Sequence, residues 1–496
     1  MVERRARLSV SVWWAIAAAV AIGLVLRILA AKDGALWTDE AWSAIHAAEV
    51  GTPMGVFLFI NHDNNHHLMS LWLQSVGLQA SPLLARAPAI AAGTLTIFIA
   101  GLIGARRSAG TAVIAALLFA VAPILVTYGS EARGYALMIL AAMTMLLLLD
   151  RWLDKPTADA PVLGLAILAF LGMLSHLTMA AFVGLFAAWV FAVRRSERGP
   201  NDALRTTIRV MGPALIACAA VIAGVFAAAA ATPEGMQVGG YSPFTIDRYA
   251  LALGDLTATT LGATVGPWWL LPSVIAVLAI LLAIWPPRWA DRWRFLLPLL
   301  ILSVPIALGL MRAGNPEFAR YYLSSAIGVL LLASIWIGRE LRGPAVRTAL
   351  ALGILTVMVS GSLYGDYQLI ELRRGDPDRP LQIIEAQSAD EPTVAFAEER
   401  LKGVLIAAAE RRGSKFVTAA HCAPADYLLG ARWSLVPAHS EVTWCGKTWH
   451  MVEYGNSGRL SGEGWALYRS QRLQSIGVAG SGPPPAHKSR RRHERA

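Results

Sequence analysis

Apolar residues in this chain gather into long runs, separated by short polar stretches. A run of about 20 apolar residues has the length of a helix that crosses a bilayer. Eleven runs are read, at roughly 9–31, 84–105, 109–128, 134–153, 160–176, 177–193, 209–230, 267–285, 295–312, 321–338 and 347–365. The fifth and sixth nearly fuse around His176, so ten or twelve spans also fit the pattern. The first run is too long, and too poorly followed by a cleavage site, to be a removed signal peptide. The first loop, at about 32–83, is much longer than its neighbours. After about Gly365 the pattern changes to short β-like runs, Thr393–Phe396 and Lys415–Thr418, around a helix-like stretch from about Glu398 to Arg411. This predicts a membrane domain at 1–365, a small α/β domain at 366–475 and a disordered basic tail at 476–496.

Composition agrees: 56% of the residues are hydrophobic and only 15% charged, too little polar surface for a soluble chain of 496 residues. A net charge of +10 would suit nucleic acid in a soluble protein, but here the basic residues cluster between apolar runs. That is where the positive-inside rule puts them, so the expected partner is membrane lipid and not nucleic acid. Loops carrying Arg4, Arg5 and Arg7, Arg106 and Arg107, Arg194, Arg195 and Arg198, and Arg339, Arg342 and Arg347 are therefore read as cytoplasmic. The long first loop, and with eleven spans the α/β domain, then lie outside. Abundant Arg and Ala beside few Lys suit a GC-rich bacterial genome, so the expected location is a bacterial inner membrane with its outer face in the periplasm. Cys218 lies in an apolar run and is read as inert. Cys422 and Cys445 fall in the α/β domain, where an outside location permits a disulfide and two free thiols are the alternative.

Unusual polar residues gather at the outer ends of the spans. Asp39 and Glu40 follow the first run directly, and adjacent carboxylates at a membrane surface can act as a base on a hydroxyl or hold a cation. Further along the loop stands Asn61-His62-Asp63-Asn64-Asn65-His66-His67. If helical, it places His62 and His66 on one face with Asp63 nearby, a donor set that suits zinc or manganese; the other reading is a wall of the active site. Glu131 and Arg133 stand between two apolar runs. An uncompensated charge in mid-bilayer costs roughly 2.5–3.5 kcal/mol, so both are expected at the rim, facing a cavity. Arg133 and Arg320, the latter at the start of the tenth run beside Tyr321, could each grip a phosphate with a planar guanidinium. The bland alternatives are a hairpin ion pair for Arg133 and interfacial anchoring for Arg320.

In this order the features resemble the GT-C superfamily of polyprenyl-phosphate-dependent glycosyltransferases, and within it glycosyltransferase family 39 with its bacterial relatives, protein O-mannosyltransferases and the lipid A aminoarabinose transferase. The matching pieces are Trp37-Thr38-Asp39-Glu40-Ala41-Trp42, Asn65-His66-His67-Leu68, Ser130-Glu131-Ala132-Arg133-Gly134-Tyr135-Ala136-Leu137, Ser175-His176 and Ala319-Arg320-Tyr321-Tyr322-Leu323. They cover roughly the first 340 residues. Many relatives carry a Pro-Pro pair where this chain has His66-His67, which loosens the local turn here.

The resemblance implies a polytopic α-helical GT-C fold and transfer of one sugar, with inversion, from a polyprenyl-phosphate donor to a glycan, lipid or protein acceptor outside the membrane. Asp39 would take the acceptor's proton, with Glu40 orienting it. Arg320, Arg133 and Tyr321 would meet the departing phosphate. His66, His67, Glu131, Tyr135 and His176 would line the cavity, with Mg, Mn or Zn as the candidate cation. A sugar flippase or transporter would instead carry ionisable groups near mid-membrane, whereas these spans look clean at their centres. A glycan polymerase or ligase of related fold is the remaining alternative.

Overall fold

The computed structural model describes residues 8–156, 158–237, 242–263, 292–388, 391–432, 438–458 and 460–470. The run expected at 267–285 and the tail expected at 476–496 lie outside the described residues. The first helix, α1 (Val10–Lys32), leads into three short helices, α2 (Thr38–Glu49), α3 (Pro53–Leu58) and α4 (His67–Val76). Then come α5 (Pro82–Ala105), α6 (Ala109–Val121), α7 (Pro123–Tyr128), α8 (Tyr135–Asp154), α9 (Val162–Ser175), α10 (Met179–Arg198), α11 (Pro200–Ala230) and α12 (Ile246–Leu261). The membrane part closes with α13 (Trp293–Leu310), a 3₁₀ turn at Ala319–Tyr322, α14 (Leu323–Glu340) and α15 (Ala345–Leu372). Among the described residues, eight stretches are long and apolar enough to cross a membrane, and α6 and α9 are shorter apolar helices. The chain is a multi-pass membrane protein.

Two departures from the sequence pattern have local causes. The run at 109–128 is broken in two, because Pro123 has no N–H to offer Phe119 O four residues back. The guanidinium of Arg27, inside α1, supplies donors to the carbonyls left by the break, Phe119 O at 3.3 Å and Ala120 O at 3.2 Å, and also reaches Leu125 O at 3.3 Å. A charge within an apparently clean span is thus used as a helix cap. Second, α12 is absent from the eleven runs because Asp247, Arg248, Asp255 and several threonines interrupt its apolar face.

The last membrane helix does not stop at 365 but runs to Leu372. It is followed by a turn in which Arg373, Arg374, Gly375 and Asp376 all have positive φ, at 46°, 56°, 93° and 49°. Beyond it, α16 (Arg379–Gln387) and α17 (Arg400–Arg412) accompany a six-stranded sheet. Its strands are β1 (Thr393–Phe396), β2 (Val417–Thr418), β3 (Tyr427–Arg432), β4 (Glu441–Trp444), β5 (Lys447–Gly455) and β6 (Gly464–Ser470), in the order β2-β1-β3-β6-β5-β4. β1 is parallel to β2 and β3, and the remaining pairs are antiparallel. Helix α17 is the crossover from β1 to β2, as parallel neighbours require. One face of the sheet buries Val394, Phe396, Leu429 and Leu467 against Leu401, Leu405 and Ala408 of α17. The opposite side of α17 presents Val404 and Ala407 to Ala41 of α2, so the sheet unit leans on the segment between α1 and α5. Cys422 and Cys445 form a disulfide.

Candidate functional site

The site is assembled around the first turn of α2. Glu40, its third residue, folds back to accept the Trp37 backbone N–H at 3.2 Å, closing the helix start. The same carboxylate receives Arg86 of α5 through two bonds, at 2.9 and 2.6 Å, and the Ala132 N–H at 2.6 Å. Arg86 spends its other N–H groups on Ala31 O at 2.9 Å and Ala35 O at 3.0 Å. Both side chains are fully buried. Burial alone would raise the Glu40 carboxyl, but the charge and hydrogen bonds of Arg86 hold it below the ordinary range. Glu40 therefore ties α1, α2, α5 and the 129–134 loop into one block.

Asp39 precedes Glu40 and so points about 100° away around the helix. Its Oδ2 lies 3.3 Å from Arg133 Nη1 and 3.2 Å from Arg320 Nη1. Two guanidinium charges thus share one carboxylate, which stays 23% exposed. Arg133 also donates to Asn64 Oδ1 at 2.7 Å, while its buried Nε has no hydrogen-bond partner. Arg320 lies over the Phe318 ring at 4.1 Å and near Tyr321 at 5.8 Å. Tyr135 stands beside Arg133, and its ring packs 4.5 Å from His176 and 5.4 Å from His66. His66 Nδ1 faces Ser175 O at 3.1 Å and the Gly134 N–H at 3.2 Å, each satisfied by one tautomer. Burial, with Arg133 adding to it, drives His66 well below the usual imidazole range and His176 down to about 3. Both are neutral wall groups at pH 7.

Several sequence candidates stand elsewhere. His67 stacks on Phe57 at 5.1 Å, and burial lowers its imidazole to about 4. Glu131 accepts the Ser461 hydroxyl from the sheet unit. The Asn61–His67 segment is a turn rather than a helix. It is bridged to the segment after α11 by Asp63 N–H to Gln237 O at 3.2 Å and Gln237 N–H to Asn61 O at 2.7 Å. That corrects the expected metal set. His62 pairs with Asp63 at 2.8 Å and packs on Trp42, and the three groups do not gather at coordinating distance. Among the described residues the one His/Cys/carboxylate cluster is His421, Cys422 and Cys445, whose sulfurs are already bonded to each other. A cation at Asp39 would meet Arg133 and Arg320, so the donor set there does not fit a divalent metal. Sequence reasoning missed Asn64 and Arg86. The visible signal for Arg86 was a charge near the start of an apolar helix, which needs a buried partner.

Burial pushes the Glu131 carboxyl up to about 7, with the nearby Arg374 charge opposing it. Unfolded, such a group titrates near 4.5, so the folded protein keeps a proton that the unfolded chain loses. Its contribution is full below 4.5 and lost as pH rises to about 7, a change of roughly 3 kcal/mol. His66, His67 and His176 run the opposite way: their contribution is present above 6.5 and lost on acidification. The informative quantity is therefore a difference. The thermal midpoint of Glu131→Gln minus that of wild type should grow between pH 5 and pH 8, and a difference independent of pH would mean that Glu131 is ionised throughout.

The sequence matches no protein-family model and no curated protein. Solved structures do match. ArnT from Cupriavidus metallidurans in the apo state aligns over 92% of this chain and 98% of its own, at 13% identity and a TM-score of 0.51. The same protein bound to undecaprenyl phosphate aligns over 96% and 100%, at 13% identity and a TM-score of 0.50. The archaeal oligosaccharyltransferase AglB from Archaeoglobus fulgidus, in complex with an inhibitory peptide and a dolichol-phosphate, aligns over 85% and 69%, at 14% identity and a TM-score of 0.48. The likeness to ArnT runs over both the membrane helices and the small sheet unit, and the chain has that GT-C fold.

Proposed function

We propose that this protein is a membrane glycosyltransferase. It moves a single sugar from a polyprenyl-phosphate donor to an acceptor hydroxyl on the extracytoplasmic face of a bacterial inner membrane. The observation that carries the proposal is the convergence of Arg133 and Arg320 on one oxygen of Asp39, with a buried Arg133 Nε still unpartnered. That is a seat with an excess positive charge directly beside a carboxylate. It suits an anionic leaving group and a proton acceptor at once. A fold shared with a protein that binds undecaprenyl phosphate supports the donor class.

In this mechanism the acceptor O–H gives its proton to Asp39 as its oxygen attacks the anomeric carbon from the face opposite the phosphate. The bond between that carbon and the phosphate oxygen breaks, and its electron pair leaves with polyprenyl phosphate. Arg133 and Arg320, with Tyr321 as a neutral donor, stabilise the departing anion. Glu40 positions Asp39 through the helix start and does not touch substrate. Neutral His66 and His176 with Tyr135 exclude water without adding charge. The distribution of Arg between spans supports the sidedness, and the Cys422–Cys445 disulfide suits an oxidising compartment.

Binding of undecaprenyl phosphate to purified protein tests the phosphate seat. Arg133→Ala and Arg320→Ala should each weaken binding by about 10- to 100-fold, since a hydrogen bond to a charged group contributes roughly 1.5–3 kcal/mol. The exposed Arg312→Ala serves as control. Equal affinity in all three variants would remove the phosphate seat from this position.

A further inference from the structure

Besides the packing of α17 on α2, two hydrogen bonds from one bend of the sheet unit reach the site from behind. Ser461 donates its hydroxyl to Glu131, two residues before Arg133. Glu463 accepts the hydroxyl of Thr38, the residue before Asp39. Between them Gly462 has φ 95°, and a Cβ there would stand 2.4 Å from Arg374 O. Arg374 braces the bend. It is fully buried, with its Nε 3.0 Å from Ser461 Oγ. Its other nitrogens reach Ala30 O at 2.5 Å, Ser130 O at 2.9 Å and Ser130 Oγ at 2.7 Å. The Glu463 N–H returns to Arg374 O at 3.3 Å, and Trp465 Nε1 donates to Gly375 O at 2.5 Å. The turn that aims Arg374 contains three non-glycine residues with positive φ, a conformation that L side chains rarely adopt. Such strain persists only where surrounding contacts over-determine it.

We propose that the Ser461-Gly462-Glu463 bend, braced by Arg374, is a positioning element that sets the separation between Asp39 and the loop carrying Arg133. The proposal rests on the glycosyl-transfer function given above and extends it. The base and the phosphate grip sit on different segments, α2 and the 129–134 loop. Beyond the Glu40–Ala132 bond, this bend joins the same two segments from the outer unit. A displacement of about 1 Å between reacting groups can cost about 10²-fold in rate, so a tie of this kind acts on turnover more than on affinity.

The test compares Ser461→Ala, Glu463→Ala and their double variant with wild type, and uses Ser461→Thr as the conservative rescue. Amide hydrogen exchange is followed at residues 127–135 and 36–42, alongside single-turnover transfer per folded molecule and affinity for undecaprenyl phosphate. The double variant should lose protection in both segments and turn over at least 10-fold more slowly. Its affinity for undecaprenyl phosphate should stay within about threefold, and Ser461→Thr should regain most of the rate. Unchanged exchange overturns the proposal whatever the activity. Lost protection with wild-type turnover also overturns it, leaving the bend a structural contact only. If wild type itself transfers no sugar from any polyprenyl-phosphate donor, the assigned function fails, and the exchange data alone decide whether the bend couples the two segments.

Discussion

Asp39→Asn should lower sugar transfer by about 10²–10⁴-fold, the usual worth of a positioned general base. The substitution keeps the size of the side chain and the start of α2, because the helix is closed by Glu40 and not by Asp39. What it removes is the negative charge and the site that receives the proton. Arg133 and Arg320 both sit on Asp39 Oδ2 and would then face a neutral amide. Freed of their carboxylate, they should hold undecaprenyl phosphate at least as tightly as before. Transfer and binding therefore move in opposite directions, which neither misfolding nor a simple loss of donor affinity would produce. The measurement is a single-turnover transfer assay beside an equilibrium binding assay on the same preparation. Transfer within threefold of wild type would exclude Asp39 as the base.

The second large effect concerns the neighbouring carboxylate and is one of stability. Arg86→Ala leaves Glu40 ionised inside the protein with only two backbone N–H groups for company. Removing one partner of a buried ion pair costs roughly 3–5 kcal/mol, because the remaining charge is uncompensated. The carbonyls of Ala31 and Ala35 lose their donors as well. We expect a large fall in the thermal midpoint of the detergent-solubilised protein. The double variant Arg86→Met/Glu40→Gln should recover much of it, since no charge is then left stranded. A single variant as stable as wild type would mean that water replaces the guanidinium.

Adjacent in sequence, Asp39 and Glu40 were read as one acidic pair, with Asp39 as the base and Glu40 orienting it. They differ because the 100° between helix neighbours sends Glu40 to Arg86 and the Ala132 N–H, and Asp39 to Arg133 and Arg320. Nothing local in Trp37-Thr38-Asp39-Glu40 announces which side will be buried, since that depends on Arg86 more than 40 residues away. The apolar runs were legible because bilayer-length periods are strong signals. The strand Thr393–Phe396 and the helix that follows were legible for the same reason of pattern. Strands β3 to β6 were not, because their alternation is diluted by Gly, Ser and charged residues that pair only across the sheet. The histidine-rich segment misled because a helical spacing of His62 and His66 carries no information unless the segment is helical. Its geometry is set by a backbone bridge to Gln237, in the segment that follows α11.

Arg27 carries a consequence for how the protein is made. Its acceptors Phe119 O, Ala120 O and Leu125 O lie 92 to 98 residues downstream. During synthesis α1 emerges with a guanidinium that has no acceptor from α6 or α7, and a lone charge is poorly tolerated in the bilayer core. The long side chain can reach toward the headgroups until Pro123 breaks the later run and exposes carbonyls for it. Insertion of the first helix is thus completed only when the third apolar run arrives, and the nascent chain carries a built-in order of assembly.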